Sequence, residues 1–208
     1  MSFDPFDFKN ALPIINEDSE FFPLMSTEDE EEMNNEQMPE ILSILPLRNT
    51  VLFPGVVIPI TVGRDKSIKL IRDANKGKRM IGVVAQQDVA IEDPTFNQLN
   101  KVGTIALIIK MLQMPDGNTT VILQGKKRFI LKEEVQSEPY LKARIEPFKE
   151  IKPKEDKEFR AMVSSIKDMS MNIIQLSPNI PSEAGIAIRN IESTLFLINF
   201  ISSNMNAD

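Results

Sequence analysis

The chain of 208 residues carries 30 acidic and 24 basic side chains, a net charge of −6 and 42% apolar residues, with neither cysteine nor histidine. That composition can form a core, but it excludes disulfides, zinc sites built on cysteine or histidine, and triads that need a histidine base. The acidic balance argues against nucleic acid as the main ligand, because phosphate binding needs a basic surface.

Residues 1–38 read as an acidic tail. They hold no basic leader with an apolar segment, so no secretory signal is expected. The run STEDEEEMNNEQMPE has almost nothing to bury and cannot offset its ordering entropy. Phe3, Phe6, Phe8, Phe21 and Phe22, scattered among acids, fit either disorder or a short docking motif.

Residues 39–150 are β-rich. Ile41–Leu47 and Val56–Val62 read as strands joined by a turn at Phe53-Pro54-Gly55. Pro46 and Pro59 cannot donate to a ladder, so they belong at strand ends, edges or bulges. Gly55 and Gly63 are expected to permit turns, and Gly63 and Gly117 to hold positive φ. Arg64–Lys76 reads as a helix, with Asp65 in its first turn, Ile68, Ile71 and Ala74 on one face, and Gly77 closing it. A buried strand follows at Met80–Gln86. TIALIIKML and TTVILQG then flank Pro115-Asp116-Gly117, which predicts a hairpin. Arg128–Lys132, after Gly125, and Tyr140–Phe148 complete the strands. Several short strands with one helix predict an α+β fold with a small closed or partly closed barrel.

Residues 151–208 read as a helical subdomain, the start of a helical bundle. Helices are expected over 154–176 and 182–204, separated by SPNIP, with Ser182 capping the second. The apolar run from Leu195 to Ile201 is far below the roughly 20 residues that span a bilayer, so no membrane partner and a cytoplasmic location are expected.

No motif carries chemistry convincingly. Gly77–Gly82 has the outer spacing of a phosphate loop but continues as an apolar strand. Ser164-Ser165-Ile166-Lys167 puts a hydroxyl and an amine one helical turn apart without the companion motifs of a serine-lysine enzyme. Glu28–Glu32 lacks the alternation of a calcium loop. The basic stretches KGKR and GKKR have no aromatic stacking array beside them. No catalytic, cofactor or metal residue is assigned.

The stretch LPLRNTVLFPGVVIPITVGRDKSI resembles the opening of the N-terminal domain of ATP-dependent Lon proteases, through Leu45, Pro46, Leu47, Arg48, Phe53, Pro54, Pro59, Val62, Gly63, Arg64 and Ser67. VVAQQD, KVGTIALIIKMLQMPDG and VILQGKKRFIL continue the resemblance in order, closely over residues 41–148 and loosely beyond. The resemblance implies a Lon-type, PUA-like barrel that captures unfolded, damaged or regulatory proteins. It also implies a parent enzyme that works as a homo-hexamer, with ATP, magnesium and a Ser-Lys dyad held in domains beyond residue 208.

A capture module needs exposed apolar surface with adaptable side chains, and methionine suits that use. Met80, Met111 and Met114 are candidates, with Phe53. Met80 and Met111 fit a core role as well. Arg64, Asp65 and Lys66 are candidates for a charged rim, or ordinary cap and surface residues. A free-standing adaptor with the same barrel, binding a partner protein or small ligand, is the alternative. An RNA-binding barrel is a third reading, disfavoured by the charge.

Overall fold

A computed structural model describes residue 33 and residues 37–113, 119–151, 153–177 and 183–205. The turn at 115–117, Met114, Ser182 and nearly all of the 1–38 tail lie outside the described residues. The chain divides into two compact units, Met33–Phe148 and a second that includes Lys149–Asp208.

In the first unit the order is β1 (Ile41–Leu47), β2 (Val57–Val62), α1 (Asp65–Lys76), β3 (Met80–Ala85), a short 3-10 turn at Phe96–Gln98, β4 (Val102–Gln113), β5 (Thr119–Gln136) and β6 (Lys142–Pro147). One sheet runs β2-β5-β4-β3-β1-β6, and β5 also pairs with β6. That last pairing makes an unevenly closed ring of five strands, with β2 held only by β5. The α+β class and the barrel with one helix are therefore met.

Three features of element order and extent differ from the sequence reading. The strands β1 and β2 are not neighbours: β1 lies parallel to β3, with Ile44 opposite Gly82 and Leu47 opposite Ala85. The expected break at Gly125 is absent, and β5 is one strand of 18 residues. The segment expected as a helix over 182–204 is two helices.

The opening Pro-Gly pair explains how β5 passes Gly125 unbroken. Gly55 takes φ 81. Its amide donates to the Gly125 carbonyl at 2.9 Å, while the Gly125 amide donates to the Val56 carbonyl at 2.8 Å. Two residues thus oppose one, which is a bulge with its first glycine left-handed. A Cβ on Gly125 would overlap the Phe53 carbonyl oxygen. Gly63 differs from expectation, since its φ is not positive and a Cβ there would meet open space.

Continuing the ladder from Gly125 points the backbone groups of Ile58, Ile60 and Val62 at β5, and those of Val57, Pro59 and Thr61 at the free edge. Pro59 therefore costs no ladder bond and blunts the exposed edge.

Two apolar clusters fill this unit. One joins Leu70 and Ile71 of α1 to Leu45, Leu47, Ile81, Val83, Ile108, Val121 and Leu123. The other centres on fully buried Phe129 with Ile44, Val84, Ile105, Ala143 and Ile145. Successive residues of β1 and β3 enter different clusters, so both faces of these strands are covered, and their sequences read as continuous apolar runs.

The second unit holds α2 (Lys157–Leu176), α3 (Glu183–Asn190) and α4 (Thr194–Asn204). The Asp156 side chain accepts from the Phe159 amide at 2.9 Å, and buried Ser193 accepts from the Phe196 amide at 3.1 Å. Ser193 is thus an N-cap, and the chain breaks before it. Lys167 of the serine-lysine pair donates to the Ile191 carbonyl at 2.8 Å, which gives that ammonium a structural role.

Candidate functional site

Two surfaces of the barrel unit present themselves. The first is a groove of about 110 Å³ at the entrance of α1, bounded by Arg64, Lys66, Asp93, Phe96 and Tyr140 over a floor that includes Ile44 and Leu70. Arg64 donates to the Gln86 side-chain oxygen at 2.8 Å. Gln86 in turn donates to the carbonyls of Asp88 at 2.6 Å and Ile91 at 3.0 Å, and Arg48 donates to Ile91 at 3.1 Å. Lys66 pairs with Asp93 at 2.8 Å and Glu138 at 2.9 Å. Tyr140 donates to Asp73 of α1 at 3.2 Å.

These contacts set the protonation behaviour of the groove. The hydrogen bond to Asp93, then that to Glu138, holds the Lys66 ammonium above the usual lysine range. Burial, then repulsion from Arg48, pushes the Arg64 guanidinium down from its ordinary value, where it still stays charged. Burial, then the Asp73 carboxylate, raises the Tyr140 phenol. The charges are compensated inside the network, which tethers the segment 86–95 and the β5–β6 connection to α1. The volume is below the roughly 300–1,000 Å³ of small-molecule pockets, so the groove suits a single side chain.

The second surface is the outer face of β2, β5 and β4. Val121 and Leu123 of β5 face the core and are buried, whereas Thr120, Ile122 and Gln124 face away and are half-buried. By register, Val57, Pro59 and Thr61 of β2 and Leu107, Lys110 and Leu112 of β4 share that outward side. The Thr61 and Thr120 hydroxyls meet on it at 3.4 Å. Beside this largely aliphatic face, Ile109 occupies a register shift of β4 and is 46% exposed, whereas Met111, opposite Val121, lies on the other side of the strand and is 37% exposed.

The family model for the ATP-dependent protease La (LON) substrate-binding domain matches residues 41–208. The chain belongs to the Lon protease family. A Lon protease of Flavobacterium johnsoniae is 59% identical over 197 residues, which are 94% of this chain and 24% of that protein. One of Cytophaga hutchinsonii is 50% identical over 190 residues, 91% of this chain and 23% of the relative. The chain thus spans about a quarter of the length of these relatives. The fold matches the N-terminal domain of a Mycobacterium avium complex Lon protease, with a TM-score of 0.59 at 19% identity, covering 77% of this chain and 80% of that one. The Xanthomonas campestris Lon N-terminal domain protein gives 0.51 at 16% identity, over 80% and 99%.

In this Lon substrate-binding domain the candidate residues do not form one site. Arg64 and Lys66 line the groove, and Asp65 is exposed in the first turn of α1. Phe53 is half-buried at the bulge, with the Arg128 guanidinium 6.0 Å from its ring centre. Met80 packs against the Phe129 cluster. Met111 is exposed on β4, and Met114 lies outside the described residues. Sequence reasoning missed Gln86, Asp93, Glu138 and Tyr140, which lie 22 to 72 positions from their partners at α1 in sequence and carry no local signal. The outward residues Leu107, Ile109, Leu112 and Ile122 were missed because unbroken apolar text hides which side chains face out. No helix among the described residues is long and apolar enough to cross a membrane.

Proposed function

We propose that this domain captures unfolded, damaged or regulatory proteins on the outer face of β2, β5 and β4, in the cytoplasm. Its parent is an ATP-dependent serine protease assembled as a homo-hexamer. ATP and magnesium, and the Ser-Lys dyad that cuts the captured chain, belong to the rest of that polypeptide.

The observation that supports this reading most is the exposure of Ile109 beside Leu107, Leu112 and Ile122, aliphatic residues turned away from the core. Such a face binds apolar segments without selecting a sequence. Because Pro59 blunts the edge of β2, side chains rather than strand pairing carry the binding. The test is fluorescence anisotropy with a labelled, permanently unfolded polypeptide. Replacing Ile109 and Leu112 together by serine removes roughly 2 kcal/mol of apolar contact and should weaken binding more than tenfold. Lys66→Ala should leave the affinity within about twofold, since that charge is compensated internally. Equal affinities for the double variant and the wild-type chain would refute the face.

A further inference from the structure

The face proposed for capture has a charge pattern unlike the rest of the chain. The chain as a whole is acidic, yet β2 and β4 hold no acidic residue, and the first on β5 is Glu133, which pairs with Arg144 of β6. Lys110, opposite Ile122, stands on the outward side between Leu107 and Leu112. A basic corner borders the same strand. The Ile108 amide donates to the Arg79 carbonyl at 2.8 Å, which brings the connection of α1 to β3, with exposed Lys76, Lys78 and Arg79, to residues 108–110. Among the described residues none of these cations forms an ion pair. Arg79 also takes φ 57, a left-handed conformation that favours glycine over residues with a Cβ. An exposed cation kept in such a conformation points to use rather than packing.

We infer that these cations make the capture face selective for apolar protein segments that carry aspartate or glutamate, with Lys78, Arg79 and Lys110 reading the charge. The inference rests on the capture reading and adds to it the class of segment taken. An apolar face alone accepts apolar segments of any charge. Unpaired cations within it and at its border change that ranking, because a carboxylate placed beside them is attracted and an ammonium is repelled. The pattern favours protein over nucleic acid. The one aromatic residue on the three strands, Phe129, is fully buried, so the face offers no platform on which bases could stack. Exposed charges give modest, salt-sensitive attraction, which sorts segments held by apolar contact.

Fluorescence anisotropy with the 208-residue chain and three labelled, unfolded peptides tests the selection. The peptides share one apolar segment and differ only in flanks of glutamate, glutamine or lysine. At low salt the glutamate-flanked peptide should bind roughly fivefold tighter than the glutamine-flanked one, and the lysine-flanked peptide weakest of all. The spread should close as salt approaches about 1 M. K78Q/K110Q should remove most of the glutamate advantage while leaving affinity for the glutamine-flanked peptide within about twofold. R79G should reduce the advantage without lowering the urea midpoint, since glycine suits the left-handed backbone. Equal affinities for glutamate and glutamine flanks overturn the inference, as does an advantage that K78Q/K110Q keeps. A short DNA duplex that binds more tightly than the glutamate-flanked peptide at about 0.15 M salt would assign the cations to nucleic acid and also overturn it. Failure of the capture reading alone shows differently: I109S/L112S then leaves the glutamine-flanked peptide unaffected, while the glutamate advantage and its loss in K78Q/K110Q persist.

Discussion

At the scale of single residues, two glycines of the opening stretch and its partner strand have opposite mechanical roles. Gly125 sits where the Phe53 carbonyl presses on the strand, so any Cβ must displace backbone. Gly125→Ala should lower the unfolding free energy by about 2–4 kcal/mol, as overpacking against a rigid neighbour does. Gly63 has open space and an ordinary φ. Gly63→Ala should therefore leave stability unchanged or raise it by up to about 1 kcal/mol, through loss of unfolded-state entropy. Urea titrations of both variants check the pair, and equal effects would refute the bulge as the anchor of β5. In sequence both residues read as turn glycines. Gly63 precedes a helix and Gly125 precedes basic residues, and neither context reveals a carbonyl contributed from 72 positions away.

At the scale of elements, α1 is tied to the barrel by groups whose protons are held more tightly in the folded state. Lys66 is raised by Asp93 and Glu138, and Tyr140 by burial and Asp73. A raised folded-state value means the stabilisation is complete below the unfolded value, about pH 10 for both groups, and is lost as pH rises through the folded value. Stability should thus hold steady from about pH 7 to 9 and fall above about pH 10. Tyr140 is the one tyrosine in the chain, so phenolate absorbance reads its titration directly. It should ionise at higher pH in the folded chain than in urea. Coincident titration curves would refute the tie, and the double variant K66M/Y140F should show a shallower alkaline decline in urea midpoint.

The ties also mark what could be read in advance. β1 and α1 were legible almost to the residue, because Pro46, Gly63 and Gly77 punctuate their ends. The order of strands was not. Chain neighbours β1 and β2 have the same apolar text, and only the three-dimensional ring separates them. The break between α3 and α4 carried one local signal, Ser193-Thr194 after Asn190, which an unbroken apolar pattern outweighed. Arg64 and Lys66 were named because they sit at a helix entrance. Gln86, Asp93 and Glu138, which fix what those cations do, belong to connections with no periodicity.

At the scale of the whole molecule, the barrel unit should fold without the helices. Both apolar clusters lie between Leu42 and Ile145. Every pairing of the sheet, including the closing ladder of β5 with β6, is made inside Met33–Phe148. A fragment of residues 33–148 falls within the ordinary size of independent domains and should unfold in one cooperative urea transition. Where that fragment begins matters physically. Met38 packs against the Phe129 cluster, and Met33 is only 6% exposed. Starting at residue 39 removes both side chains, at a cost of about 1.5–3 kcal/mol for each one fully buried. The shorter fragment should keep a single transition but at a distinctly lower urea midpoint. Equal midpoints would place the functional start of the barrel at residue 39. A broad, non-cooperative transition in the longer fragment would mean that the barrel depends on the helices, and that capture and downstream helices form one mechanical body.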